Sequence, residues 1–186
     1  MDVTTNRSEP TVSTDRVTTT LRLHAAASAV WQCLMFYEDV PRKPWPLLRL
    51  LLPQPIKSEG DKLSLGAEVR CTYERGHLLK RTTRVEPTRL LSFEVVEQQL
   101  GIERYARACN GSYELRAVGE ATDIALTTAY RGKLWPRFVW RLLERYLCHR
   151  LHLHILTGMR ERLLSEARAV SPSGSEEPGT ARALSQ

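Results

Sequence analysis

No stretch of this sequence approaches the roughly 20 consecutive apolar residues that a membrane-spanning helix needs, which argues against a helical span. The cysteines are few and scattered: Cys33, Cys71, Cys109 and Cys148 form no CxxC pair and no zinc-ribbon spacing. A disulfide framework or a structural zinc site is therefore not expected; reduced, buried thiols in a cytoplasmic protein are. A glycine-rich phosphate loop, a serine or cysteine nucleophile constellation and a pair of catalytic carboxylates are all missing. The first residues, MDVTTNRSEPTVSTD, are polar and lack the apolar stretch of a signal peptide. No cofactor is expected.

What is present suits one domain with a real core: 186 residues, 42% hydrophobic and 26% charged. The net charge of +6 is unevenly spread. From residue 131 to 168 there are nine Lys or Arg against three Glu, a surplus equal to that of the whole chain. Within it Arg137, Arg141 and Arg145 step by four along one row, with Trp140 on the same half. A basic ridge with an indole suits a peripheral contact with an anionic membrane, although a solvated face is the commoner meaning. No nucleic-acid partner is expected, because no binding motif or aromatic–basic platform accompanies the charge.

Along the chain, residues 1–15 and 169–186 lack periodicity and read as disordered tails around a single domain, 16–168. RVTTTLRLHA alternates like a half-buried strand, and AASAVWQCLMFYEDV then moves to helical spacing. PRKPWPLLRLLLPQPI surrounds a leucine cluster with prolines and predicts a very short second helix in a stiff apolar loop. From Gly66 onward the period is two. AEVRCTYERGHLLKRTTRVEP reads as a hairpin with a three-residue loop, Glu74-Arg75-Gly76, which would pair Tyr73 with His77 and Val69 with Arg81. Three further strands follow, and a helix then runs from near Pro136 to about Arg168. The expected fold is α+β: a curved antiparallel sheet of about six strands around a long C-terminal helix, with two short helices between the first two strands.

In this order of elements the chain resembles the START-like, or SRPBCC, superfamily, which includes polyketide cyclases and dehydrases and lipid-transfer domains. The resemblance is carried by AVWQCLMFYEDV, by GAEVRCTYERGHLLKRTTRVEPTRLLSFEVVEQ, by GSYELRAVGEATDIALTTAYRG and by the final helix. It spans roughly residues 16 to 166. It implies the helix-grip fold and a deep, mainly apolar pocket for a hydrophobic small molecule; its motifs specify shape rather than chemistry.

Candidate site residues come from two periodicities. On the last helix Val139, Leu142, Tyr146, His149, Leu153 and Leu156 form a seam expected to face the sheet, with His152 and His154 splayed to either side. Histidines spread that widely cannot converge on one metal ion. His149 is either a hydrogen-bonded core residue or a polar group in the pocket. On the sheet, the three-residue loop turns Leu79, Arg81, Thr83 and Val85 inward. Arg81 would then lie opposite Val95 and diagonal to Glu97, beside Leu91 and Phe93. That makes Arg81 either half of a structural ion pair or an anchor for an acidic ligand. Tyr73, Tyr113, Thr128 and Tyr130 share the inward parity. Trp31, and Leu48 and Leu51 of the leucine cluster, complete the expected lining.

Three functions remain open on these residues. The first is binding, and possibly transfer, of a hydrophobic molecule such as a lipid or polyketide-like compound. The second is a cofactor-independent cyclase or dehydratase in which His149 is general base and Arg81 stabilises an enolate. The third is a partner-binding domain whose cavity is mere packing.

Overall fold

The computed structural model describes residues 14–36 and 55–170. Of the expected tails, residues 1–13 and 171–186 lie outside the described residues, as does the leucine cluster with Leu48 and Leu51; Asp15 belongs to the first strand and residues 169–170 to the last helix.

The elements follow in the order β1 (Asp15–Leu23), α1 (Ala27–Phe36), β2 (Pro55–Glu59), β3 (Glu68–Tyr73), β4 (Gly76–Glu86), β5 (Leu90–Gln99), β6 (Ala106–Val118), β7 (Ala121–Gly132) and α2 (Arg137–Val170). The strands form one antiparallel sheet, ordered β1-β7-β6-β5-β4-β3-β2. The sheet is one strand larger than expected. β2 escaped the sequence reading because it is short, opens on a proline and carries a single large apolar residue, Ile56. Those are the marks of an edge strand, which β2 is.

The helix α2 has 34 residues and is about 51 Å long at 1.5 Å per residue. It lies across β1 and β7. Its buried line meets α1 and the inner face of the sheet in one cluster that includes Leu23, Val30, Trp31, Leu34, Leu91, Ile124, Leu126, Leu156 and Met159. A smaller cluster, Val69, Cys71, Leu78 and Leu100, sits at the far side of the sheet, with Tyr73 and Val95 against it. Thr122 is fully buried, and its hydroxyl donates to the carbonyl of Ala25 at 2.8 Å. Thr122→Val should therefore cost about 1–2 kcal/mol in urea denaturation, since a buried carbonyl loses its donor. No loss would mean that water replaces the hydroxyl.

The hairpin register differs from the expected one. Tyr73 pairs with Gly76, Cys71 with Leu78 and Val69 with Lys80, so the loop has two residues, Glu74 and Arg75. Gly76 is the first residue of β4 rather than the last of the loop. A Cβ on it would lie 1.7 Å from the carbonyl oxygen of Gln99. A shift of one residue exchanges the two faces of a strand. Lys80 and Thr82 therefore face inward, and Arg81 faces out.

Candidate binding cavity

The space between the two apolar clusters is a cavity of about 120 Å³. Strands β3, β4, β5 and β6 contribute Val69, Cys71, Tyr73, Lys80, Thr82, Leu91, Phe93 and Tyr113 to its wall. Helix α2 contributes Leu151, Ile155 and Met159, and α1 contributes Leu34. Lys57, Ser58 and Lys62 line it on the β2 side. Gly111 shapes the floor: a Cβ there would come within 2.6 Å of the Phe93 ring, so the ring can approach β6 this closely because that position is bare.

Lys80 is the polar feature of this wall. Its ammonium sits 4.5 Å from the centre of the Phe93 ring, a cation–π contact, and hydrogen-bonds Cys71. Burial disfavours the charged form. The charge interactions and hydrogen bond with Cys71, and the interactions with Tyr73 and Tyr113, outweigh it and hold the pKa above the ordinary lysine value. Burial also pushes the Tyr73 phenol up to about 12, against the opposing pull of Lys80, and raises Tyr113. At neutral pH the two phenols are protonated, so within the chain the burial of the Lys80 amine is offset by the Cys71 hydrogen bond and the Phe93 ring.

Of the residues expected to line the pocket, Tyr73, Phe93 and Tyr113 do so. Trp31 is buried in the main cluster beside α2, away from the cavity wall. Arg81, expected inward, is on the outer face, where it pairs with Glu68 at 2.9 Å and Glu94 at 3.2 Å. The two-residue loop is the cause. Glu97 lies beyond a bulge that shifts the β4–β5 register between Leu79 and Lys80. It faces His77 at 3.4 Å and accepts a hydrogen bond from Gln99, away from the cavity.

The seam of α2 is also displaced. Val139, Leu142 and Tyr146 are 49%, 72% and 46% exposed, and His149 is exposed too. The residues of α2 that are fully buried include His152, Leu156 and Met159, turned round from the expected line, with Leu156 the one member in common. Leu153 is half-buried and does not line the cavity. Apolar residues occur on every side of this helix, so their spacing alone does not mark which stripe is covered.

The histidines form a polar layer under α2, between helix and β1–β7. His152 is 2% exposed. Its Nδ1 lies 3.1 Å from Thr19 Oγ1, its Nε2 2.8 Å from Thr128 Oγ1, and Cys148 Sγ is 3.5 Å away. His149 reaches the same Thr19 hydroxyl through Nδ1 at 2.7 Å. One hydroxyl can donate to one ring and accept from the other, so two neutral rings satisfy it. Burial, with His149 adding to it, pushes the His152 pKa down to about 4. Burial likewise raises the Cys148 thiol to about 12. Tyr130 is buried nearby, and its hydroxyl has no hydrogen-bond partner among the described residues. No group of three His, Cys, Asp or Glu among the described residues is placed to hold a metal ion.

The basic ridge of α2 is partly neutralised. Arg137 pairs with Asp15 at 2.7 Å and Glu144 at 2.8 Å, and Arg141 pairs with Asp15 at 2.6 Å. No described helix is long and apolar enough to cross a membrane.

An antiparallel sheet curled around one long C-terminal helix, with an apolar cavity between them, defines the helix-grip fold of START-like proteins. Comparison with solved structures agrees. The Zhui aromatase/cyclase of a Streptomyces species superposes with a TM-score of 0.59 at 18% identity, over 87% of this chain and 99% of the cyclase. A Thermus thermophilus protein gives 0.58 at 16% identity, over 82% of this chain and 99% of its own. Norcoclaurine synthase from Thalictrum flavum, in complex with dopamine and hydroxybenzaldehyde, gives 0.55 at 16%, over 82% of this chain and 88% of the synthase. At these identities the likeness is one of fold. No family model matches the chain, and no curated protein matches it in sequence.

Proposed function

We propose that the protein binds an apolar small molecule in the cavity between its sheet and α2. The observation that carries this reading is the cavity itself, walled by Leu34, Val69, Leu91, Phe93, Ile155 and Met159 at the place where the two core clusters fail to meet. A well-packed interior leaves few voids larger than a water molecule, so a gap of this size between two ordered clusters is a reason to expect an occupant. The cyclase and norcoclaurine synthase among the structural neighbours are enzymes that take small organic molecules, which supports a small-molecule ligand and leaves the chemistry open.

The catalytic alternative, with His149 as general base, has little support: His149 is exposed and does not line the cavity. Contact with an anionic membrane through Arg137, Arg141 and Arg145 also has little to rest on, since Arg137 and Arg141 face carboxylates at salt-bridge distance.

The test is cavity filling. Ethylbenzene, titrated calorimetrically, should bind the protein and give a negative heat-capacity change. Ile155→Trp should lower that affinity at least about tenfold, with a stability penalty of no more than about 1–3 kcal/mol for overpacking. Undiminished binding in a folded Ile155→Trp variant would place the ligand elsewhere.

A further inference from the structure

Among the described residues the cavity wall is one-sided in charge: its lining includes three lysines, Lys57, Lys62 and Lys80, and no aspartate or glutamate. Lys57 has Glu59 at 2.6 Å, and Lys62 donates to the carbonyl of Met35 at 3.0 Å. Lys80 has no carboxylate partner among the described residues. The carboxylates of this part of the sheet, Glu68 and Glu94, are on the opposite face with Arg81.

A lysine in such a place has an ordinary explanation: an ammonium satisfied by an aromatic ring and a thiol. That explanation leaves most of its hydrogen-bonding capacity unused. An ammonium has three donors, a thiol is a weak acceptor, and an aromatic face offsets only a small part of the lost hydration. The remaining donors are on the wall of an apolar cavity, where a negative charge from outside the chain would find its strongest partner. Around it Tyr73 and Tyr113 add O–H donors that burial keeps protonated well beyond neutral pH. Size narrows the ligand further. At about 120 Å³ the space is slightly smaller than an engineered cavity of about 150 Å³ that accommodates benzene.

Resting on the reading of the cavity as a binding site, we propose that its ligand is a compact apolar acid. Its body is about the size of one aromatic ring, lying among Leu34, Leu91, Phe93, Ile155 and Met159, and its carboxylate meets the Lys80 ammonium. Lys80 is the specificity residue, and the tyrosine hydroxyls complete the recognition of the acid.

The experiment compares 3-phenylpropanoate with its neutral amide, 3-phenylpropanamide, and with ethylbenzene, by calorimetry at neutral pH. The wild-type protein should bind the acid at least tenfold more tightly than the amide. Lys80→Met, which keeps most of the length of the side chain and removes its charge, should reduce acid affinity by about 10- to 100-fold, the range for a charged hydrogen bond. It should leave ethylbenzene affinity unchanged or improved. Arg81→Met should change acid affinity by less than about threefold, since that guanidinium is on the outer face with Glu68 and Glu94. Binding of ethylbenzene without preference for the acid in the wild type would overturn the inference and leave the cavity reading standing. So would equal losses in Arg81→Met and Lys80→Met, which would make the recognition a diffuse positive field. Failure of all three probes to bind the wild type would overturn both.

Discussion

Gly76→Ala should destabilise the protein by at least about 3 kcal/mol, far more than the same change at Gly119. Both glycines have positive φ, 143° and 60°, which any side chain disfavours. Their surroundings differ. A Cβ at Gly119 meets nothing within 4 Å, whereas one at Gly76 would lie 1.7 Å from the Gln99 oxygen and 2.8 Å from its carbon. Those are backbone atoms of β5, and no rotamer change moves them. The strands must part at the pairing of His77 with Gln99, or the hairpin must adopt another register. At Gly119 the left-handed conformation alone should cost about 1–2 kcal/mol. Urea denaturation of the two variants checks this, and equal losses would show that the close approach of β4 to β5 is soft. If Gly76→Ala does fold in the longer-loop register, Lys80 and Arg81 exchange faces and the preference for an acid probe is lost with them.

Acid should unfold the protein through His152. The folded pKa of about 4 lies below the ordinary value of 6.5, so between these limits the unfolded chain binds the proton that the folded one refuses. Stability from this source is complete above about pH 6.5 and falls as the pH drops toward 4. At pH 4.5 the loss is about 2–3 kcal/mol, from 1.36 kcal/mol per pKa unit. Chemical denaturation at pH 7 and pH 4.5 measures it. His152→Leu cannot bind the proton and should lack this part of the slope, although it leaves the Thr19 and Thr128 hydroxyls with one partner fewer and is less stable at pH 7. An identical pH slope in both proteins would assign the acid sensitivity to carboxylates elsewhere.

The arrangement of elements was legible because it depends on periods and breaks. Alternation along residues 16–23 and from Gly66 onward, helical spacing after residue 26 and the long final run at helical period survive any local error. Site residues depend on phase, which is harder to read. One residue fewer in the loop between β3 and β4 moved Lys80 into the cavity and Arg81 out of it. A small rotation of α2 put His152, in place of His149, under the helix. The clue to the hairpin lay in Gly76 itself: glycine serves a close backbone approach as well as a left-handed turn. The contact with Gln99 lies 23 positions away and has no local signature. On α2 the exposed Phe138 and Leu142 are as apolar as the buried Leu156 and Met159. Tyr73, Phe93 and Tyr113 were placed correctly because their strands carry clean alternation through the residues concerned.

The position of β1 at the edge of the sheet bears on how the molecule assembles. Every other strand pairs with its neighbour in sequence through a hairpin or short connection, but β1 pairs with β7, and the contact of Thr18 with Thr127 spans 109 residues. Such distant pairings slow folding, because a long loop must close before any contact rewards it. During synthesis the first strand leaves the ribosome with no partner and waits until residues 121–132 emerge. Until it docks, β7 has an unpaired flank, the site at which another chain's β1 fits as well as its own. The Thr19 hydroxyl that bridges His149 and His152 arrives with β1, so the polar layer beneath α2 forms only when that strand is finally seated.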